Sequence, residues 1–165
     1  MTDVYVGWPG SVHDARVFRR SPLHEHLEAN TLEMCPQESY LLGDAAYPLR
    51  NYLLTPFKDN GHLTQKQKTY NFKHSSTRMK VEHTFGVFKG RWRRLKFIDV
   101  VCLEATIDII VAACVLHNIC QAEEDLEEFM ADDDTPENGS PDHPLVNATS
   151  SGVALRDKVV AKVAQ

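Results

Sequence analysis

Three carboxylates in this 165-residue chain stand where side chains could converge on a cation. Asp14 opens a short helix after the tight turn Trp8-Pro9-Gly10. Asp44 ends the apolar stretch Tyr40-Leu41-Leu42-Gly43, which reads as a buried strand over 39–43. Glu82 sits in the first turns of a long helix, among basic residues. Hard divalent cations such as Mg2+ take oxygen ligands, commonly one or two carboxylates together with water and phosphate. Two such ions about 4 Å apart clamp the attacking and leaving oxygens of a phosphodiester. Carboxylates gathered beside a basic surface are the donor set that this chemistry needs.

Each acid also has an ordinary reading. Asp14 could only cap its helix, Asp44 could only form the turn before Ala45-Ala46-Tyr47-Pro48, and Glu82 could only pair with Arg78 one helical turn earlier. His13 reads as an exposed or packed helix residue, and His74 and His83 as part of a basic face. His117, in a very apolar segment, reads as a hydrogen-bonded core histidine. The run from Lys89 to Lys96 is either a solvated helix end favoured by the C-terminal dipole or a phosphate-contacting patch.

The elements that must position these residues follow from periodicity and turn signals. The segment Asp3–Gly7 reads as a strand. Ser11 with Asp14 resembles a capping box for a helix through Phe18, and a second short helix is expected over Ser21–Leu32. Tyr52–Thr55 reads as another strand, stopped by Pro56, and Asn60-Gly61 marks a turn. The longest helix is expected over 77–96, with Val81, Phe85, Phe88, Trp92 and Leu95 on one apolar face. A second helix, 103–121, is apolar nearly all round and should be buried. A short amphipathic helix closes the chain over 153–163, within a terminal segment 153–165.

Charge is segregated along the chain. Lys58 to Lys96 holds eleven Lys and Arg against two acids, whereas Gln121 to Asp142 holds ten acids and no Lys or Arg. The net charge of −5 therefore conceals a basic block fit to meet phosphates and an acidic block that reads as a solvated, disordered tail over 122–152. The four cysteines show no zinc-like spacing and read as reduced thiols, which fits an intracellular protein. No signal peptide is evident, and no apolar run reads as long enough to span a membrane.

Five ordered blocks resemble one family. The stretch from Gly7 to Phe18, the stretch Tyr40 to Leu49 followed by Leu53 to Phe57, the stretches Tyr70 to Ser75 and Arg78 to Gly86, the run Lys89 to Leu95, and Ala112 to Cys120 are similar to PIF/Harbinger transposases and their domesticated relatives. The resemblance implies an α/β fold of RNase H-like type over 1–121, a mixed sheet flanked by helices. It implies a DDE nuclease that uses Mg2+ or Mn2+ to hydrolyse DNA phosphodiesters and then to drive strand transfer.

Carried over position by position, Asp44 and Glu82 match catalytic acids and Asp14 matches a further metal ligand. Lys89, Arg91, Arg93 and Arg94 would face DNA. The family implies a nuclear protein working with a separate Myb-like DNA-binding partner. Its first aspartate lies on a strand upstream of the Pro-Gly-Ser turn, and Asp3 is in the wrong context to replace it. The expectation is thus a nuclease domain truncated at its N-terminus. The alternative is a catalytically inactive nuclear protein that keeps the fold for DNA or partner binding.

Overall fold

The computed structural model describes residues 1–98, 102–123 and 148–163. Within them α1 (Asp14–Arg19), α2 (Pro22–Ala29) and α3 (Thr31–Met34) precede β1 (Leu41–Leu42) and β2 (Leu53–Leu54). The long α4 (Gln65–Arg91), then α5 (Leu103–Ala122) and α6 (Ser150–Val163), complete the order. Short 3-10 turns occupy Pro36–Glu38 and Arg93–Phe97. The described structure is mostly helical with a small parallel sheet, compatible with the α/β class. It divides into one unit formed by Met1–Gly10 with Lys80–Glu137 and another formed by Ser11–Met79 with Asn138–Gln165.

In the second unit, Ser21 starts α2 by accepting the His24 N–H at 3.2 Å, with Pro22 in the first turn. Asn30 breaks the expected 21–32 helix into α2 and α3. Helix α1 begins at Asp14 with His13, not Ser11, in the capping position and with no side-chain cap. Strands β1 and β2 pair in parallel, Leu41 with Leu53 and Leu42 with Leu54. Parallel pairing demands a crossover, and residues 43–52 make it without a helix.

Helix α4 then grips the outgoing strand through side chains. The Tyr70 hydroxyl donates to the Thr55 carbonyl at 3.3 Å, and Asn71 bonds both the N–H and the carbonyl of Phe57 at 2.9 Å. His74 Nε2 lies 3.2 Å from the Leu54 carbonyl. Tyr70 and Asn71 thus use one face of α4 to satisfy backbone groups beyond the two-residue sheet, while His74 adds a second contact to the Leu54 carbonyl, which already accepts the Gly43 N–H at 2.9 Å.

Two core clusters sit on either side of β2. Leu49, Leu54, Tyr70 and Val159 form one, and Leu27, Tyr52 and Leu53 form the other. Leu54 has no exposed surface; burying such a side chain contributes roughly 1.5–3 kcal/mol. Helix α6 supplies Val159 to the first cluster, while Arg156 lies 3.8 Å over the Phe57 ring. The C-terminal helix therefore begins at Ser150, three residues earlier than its periodicity indicates, and is built into this core. The expected acidic tail falls, over 124–147, outside the described residues.

In the first unit, Phe88 of α4 packs on Ala113 and Cys114 of α5, ringed by Met1, Trp92, Leu95 and Ile110. The expected strand at Asp3–Gly7 does not form. Instead the segment's start is held by Asn118, whose amide accepts from the Met1 ammonium at 2.6 Å and donates to the Met1 carbonyl at 2.7 Å. Helix α4 starts twelve residues before the expected Thr77 and ends at Arg91, because Trp92 (φ −101°, ψ 68°) leaves helical geometry. Phe88 is 6% exposed but Val81 and Phe85 are 54% and 51% exposed, so the expected apolar face is only partly covered.

Helix α5 corrects two expectations. Its 20 residues are long and apolar enough, by length and composition alone, to cross a membrane. It is also buried on one face only, through Ala113, Cys114 and His117, with Leu103, Val115 and Ile119 exposed. Periodicity shows that a segment is apolar, but what covers it is decided by the tertiary partners present.

Candidate functional site

Asp14 and Asp44 belong to the same unit, and the charge of each acts on the Tyr47 phenol. Asp14 is exposed at the start of α1. Asp44 is half-buried just beyond β1, and its Oδ1 accepts the Ala46 N–H at 2.8 Å. This bond is the turn-forming role of an aspartate, and it fixes one carboxylate oxygen.

Tyr47 completes the turn, its N–H donating to the Asp44 carbonyl at 3.3 Å. Burial pushes the Tyr47 phenol up to about 12; the nearby charges of Asp14 and then Asp44 push the same way, and Arg78 opposes them. One hydroxyl thus senses both carboxylates and a guanidinium. His74, buried behind them, is lowered first by burial and then by Arg78, against the Leu54 hydrogen bond and the Asp44 charge. The reading of His74 as part of a solvated basic face is therefore corrected. Its bond to Leu54 requires a position on the inner side of α4.

Glu82 lies on the same continuous helix as Arg78, one turn further on, and is exposed. It falls in the unit that includes Lys80–Glu137. Lys89, Arg93 and Arg94 are exposed; Arg91 is half-buried, with Nε and Nη1 shielded from water. The Arg91 charge and burial both lower the His117 imidazole, burial being the larger cause. His117 is 2% exposed and meets Phe88 edge-on at 5.3 Å, so it is a core histidine as expected, but among the described residues its Nδ1 has no hydrogen-bond partner. Among the described cysteines none is bridged.

Among the described residues no three His, Cys, Asp or Glu side chains cluster closely enough to hold a metal ion. The Asp14–Asp44 pair nevertheless suits a hard cation, because Mg2+ keeps several waters and needs only one or two protein carboxylates. In the sequence Arg78 stood only as a pairing partner for Glu82, and Tyr47 only as part of the turn after Asp44. Tyr47 follows Asp44 by three and Arg78 precedes Glu82 by four, spacings of a turn and of a helix face.

Residues 1–118 match the family of DDE superfamily endonucleases, and the chain belongs to that family. Similar proteins include "Putative nuclease HARBI1" of Bos taurus, 38% identical over 121 residues, which covers 70% of this chain and 32% of that protein. The protein of the same name in Homo sapiens is 37% identical over 121 residues, with the same coverage. "Protein ALP1-like" of Arabidopsis thaliana is 30% identical over 142 residues, covering 79% of this chain and 34% of that protein. The resemblance to transposase-derived nucleases is borne out. The chain spans about a third of the length of these relatives. No solved structure matches it.

Proposed function

We propose that the chain supplies the metal-binding and DNA-facing part of a transposase-derived nuclease that cleaves DNA phosphodiesters. Asp14 and Asp44 would hold Mg2+ or Mn2+, with Asp44 and Glu82 as the catalytic acids. The observation that carries the reading is the Phe18–Tyr47 ring contact, which joins the helix that carries Asp14 to the turn that carries Asp44; the charge of each acid acts on the Tyr47 phenol. Membership of an endonuclease family supports it independently.

A bound divalent cation supplies the electrophilic clamp on the phosphate and the activation of water. The chain's own residues orient and balance charge. Ala46 N–H fixes one oxygen of Asp44. At the Tyr47 phenol the charge of Arg78 opposes those of Asp14 and Asp44. Lys89, Arg93 and Arg94 offer exposed cations to the phosphate backbone, with Arg91 beside them.

In the same reading the chain has an RNase H-like fold over 1–121, followed by an acidic stretch of sequence and the terminal helix α6. It acts in the nucleus with a Myb-like DNA-binding partner. Nicking of supercoiled plasmid by the purified chain tests it. Cleavage that needs Mg2+ or Mn2+ and disappears in Asp44→Asn and Glu82→Gln is expected. Cleavage unaffected by chelator, or equal in both variants, overturns it.

A further inference from the structure

Helix α1 is six residues long and buries none of them completely, yet it carries Asp14. Such a helix has little stability of its own, since isolated helices below about 12–15 residues are marginal in water. Its attachment runs through Phe18, which follows Asp14 by four residues and so shares its face of α1. The Phe18 ring meets the Tyr47 ring edge-on, 5.7 Å between centroids and 75° between planes. A second edge-on contact, at 5.2 Å, joins Phe18 to His24. Both Phe18 and Tyr47 pack against the cluster of Leu27, Tyr52 and Leu53.

Tyr47 is fixed at its other end. Its backbone closes the Asp44 turn, and its ring lies over Gly43. A Cβ added at Gly43 would come within 3.1 Å of Tyr47 Cβ and 3.2 Å of Cδ2. Gly43 therefore leaves the space in which the tyrosine ring seats. One aromatic contact joins the helix that carries Asp14 to the turn that carries Asp44.

We propose that Tyr47 is a positioning residue of the carboxylate pair: its ring clamps Phe18 and thereby holds Asp14 in register with Asp44. This rests on the reading of that pair as a cation site. The ring, not the hydroxyl, performs the clamping, so Tyr47→Phe retains function while Tyr47→Ala loses it. Residues whose contacts orient metal ligands typically change metal affinity by about 10–100-fold when removed.

The test is calorimetric Mn2+ binding to the full chain and its variants, paired with amide hydrogen exchange in the metal-free protein. Tyr47→Ala and Phe18→Ala should each weaken Mn2+ binding by about 10-fold or more, and together no more than either alone. Tyr47→Phe should bind like the parent chain. In the metal-free chain Tyr47→Ala should speed exchange at 15–19 selectively. Leu155→Ala, which loosens the other core cluster, should lower overall stability without altering Mn2+ affinity or the relative protection of 15–19. Equal Mn2+ affinity in Tyr47→Ala with weakened binding in Asp14→Asn overturns the positioning role alone. Unchanged binding in Asp14→Asn and Asp44→Asn overturns the cation site itself, and the exchange data then decide separately whether Tyr47 secures α1.

Discussion

His74 Nε2 lies 3.2 Å from the carbonyl oxygen of Leu54, with the imidazole only 5% exposed. The bond ties α4 to β2 directly behind Asp44. Burial is the largest influence on this imidazole and lowers its pKa below the ordinary 6.5. The native state then resists a proton that the unfolded chain accepts. The stabilisation is fully present above about 6.5 and is lost as pH falls through the lower native value. Urea midpoints measured from pH 7.5 to 5 should fall in the parent chain and fall less in His74→Gln. Parallel declines would show that His74 does not titrate across folding.

Helix α6 is docked by close contact. A Cβ at Gly152 would sit 2.9 Å from the backbone N, Cα and C of Arg50. Thr149 secures the same corner, its N–H donating to the Leu49 carbonyl at 3.2 Å. Gly152→Ala should cost about 1–3 kcal/mol through overpacking. Leu54→Ala, at the centre of the cluster α6 covers, should cost about 2–5 kcal/mol. Denaturant midpoints check both, and an unchanged midpoint in Gly152→Ala would contradict the docking.

The Tyr47 phenol reports the carboxylates without any metal. Burial raises it most, followed by Asp14 and Asp44, to about 12. Removing either charge should let the phenol ionise at lower pH. Tyrosine 13Cζ shifts followed through alkaline titration, with Tyr47→Phe for assignment, should show this in both Asp14→Asn and Asp44→Asn. A titration curve that ignores one of them would separate that residue from the pair.

DNA binding is best tested at Arg93 and Arg94, which are exposed, and not at Arg91, whose guanidinium is partly shielded. Charge reversal of both should weaken duplex binding. The slope of log affinity against log salt should shrink by about 0.9 for each phosphate that the variant no longer neutralises. An unchanged slope would remove this surface from the interface.

Parts of this architecture were readable in the residues, and the misses have physical causes. Asp44 after an apolar strand and Asp14 at a helix start were legible, because turn and helix-start chemistry is local. The start of α4, twelve residues ahead of the expected Thr77, was missed although its signal is local. Thr64 and Gln67 form a capping box there, Thr64 N–H donating to Gln67 Oε1 at 2.9 Å and Gln67 N–H to Thr64 Oγ1 at 3.4 Å. Exposure of Val81 and Phe85 was not legible, since a helix face records only its own apolarity. Nor was Tyr47's role, because its partner Phe18 lies 29 residues away in sequence and meets it only in the folded chain.

Mn2+ affinity of the intact chain beside Asp14→Asn and Asp44→Asn probes the core of this account. Each single replacement should raise the dissociation constant by about 10-fold or more, without shifting the urea midpoint to match. Two variants that bind Mn2+ as tightly as the parent chain would contradict it.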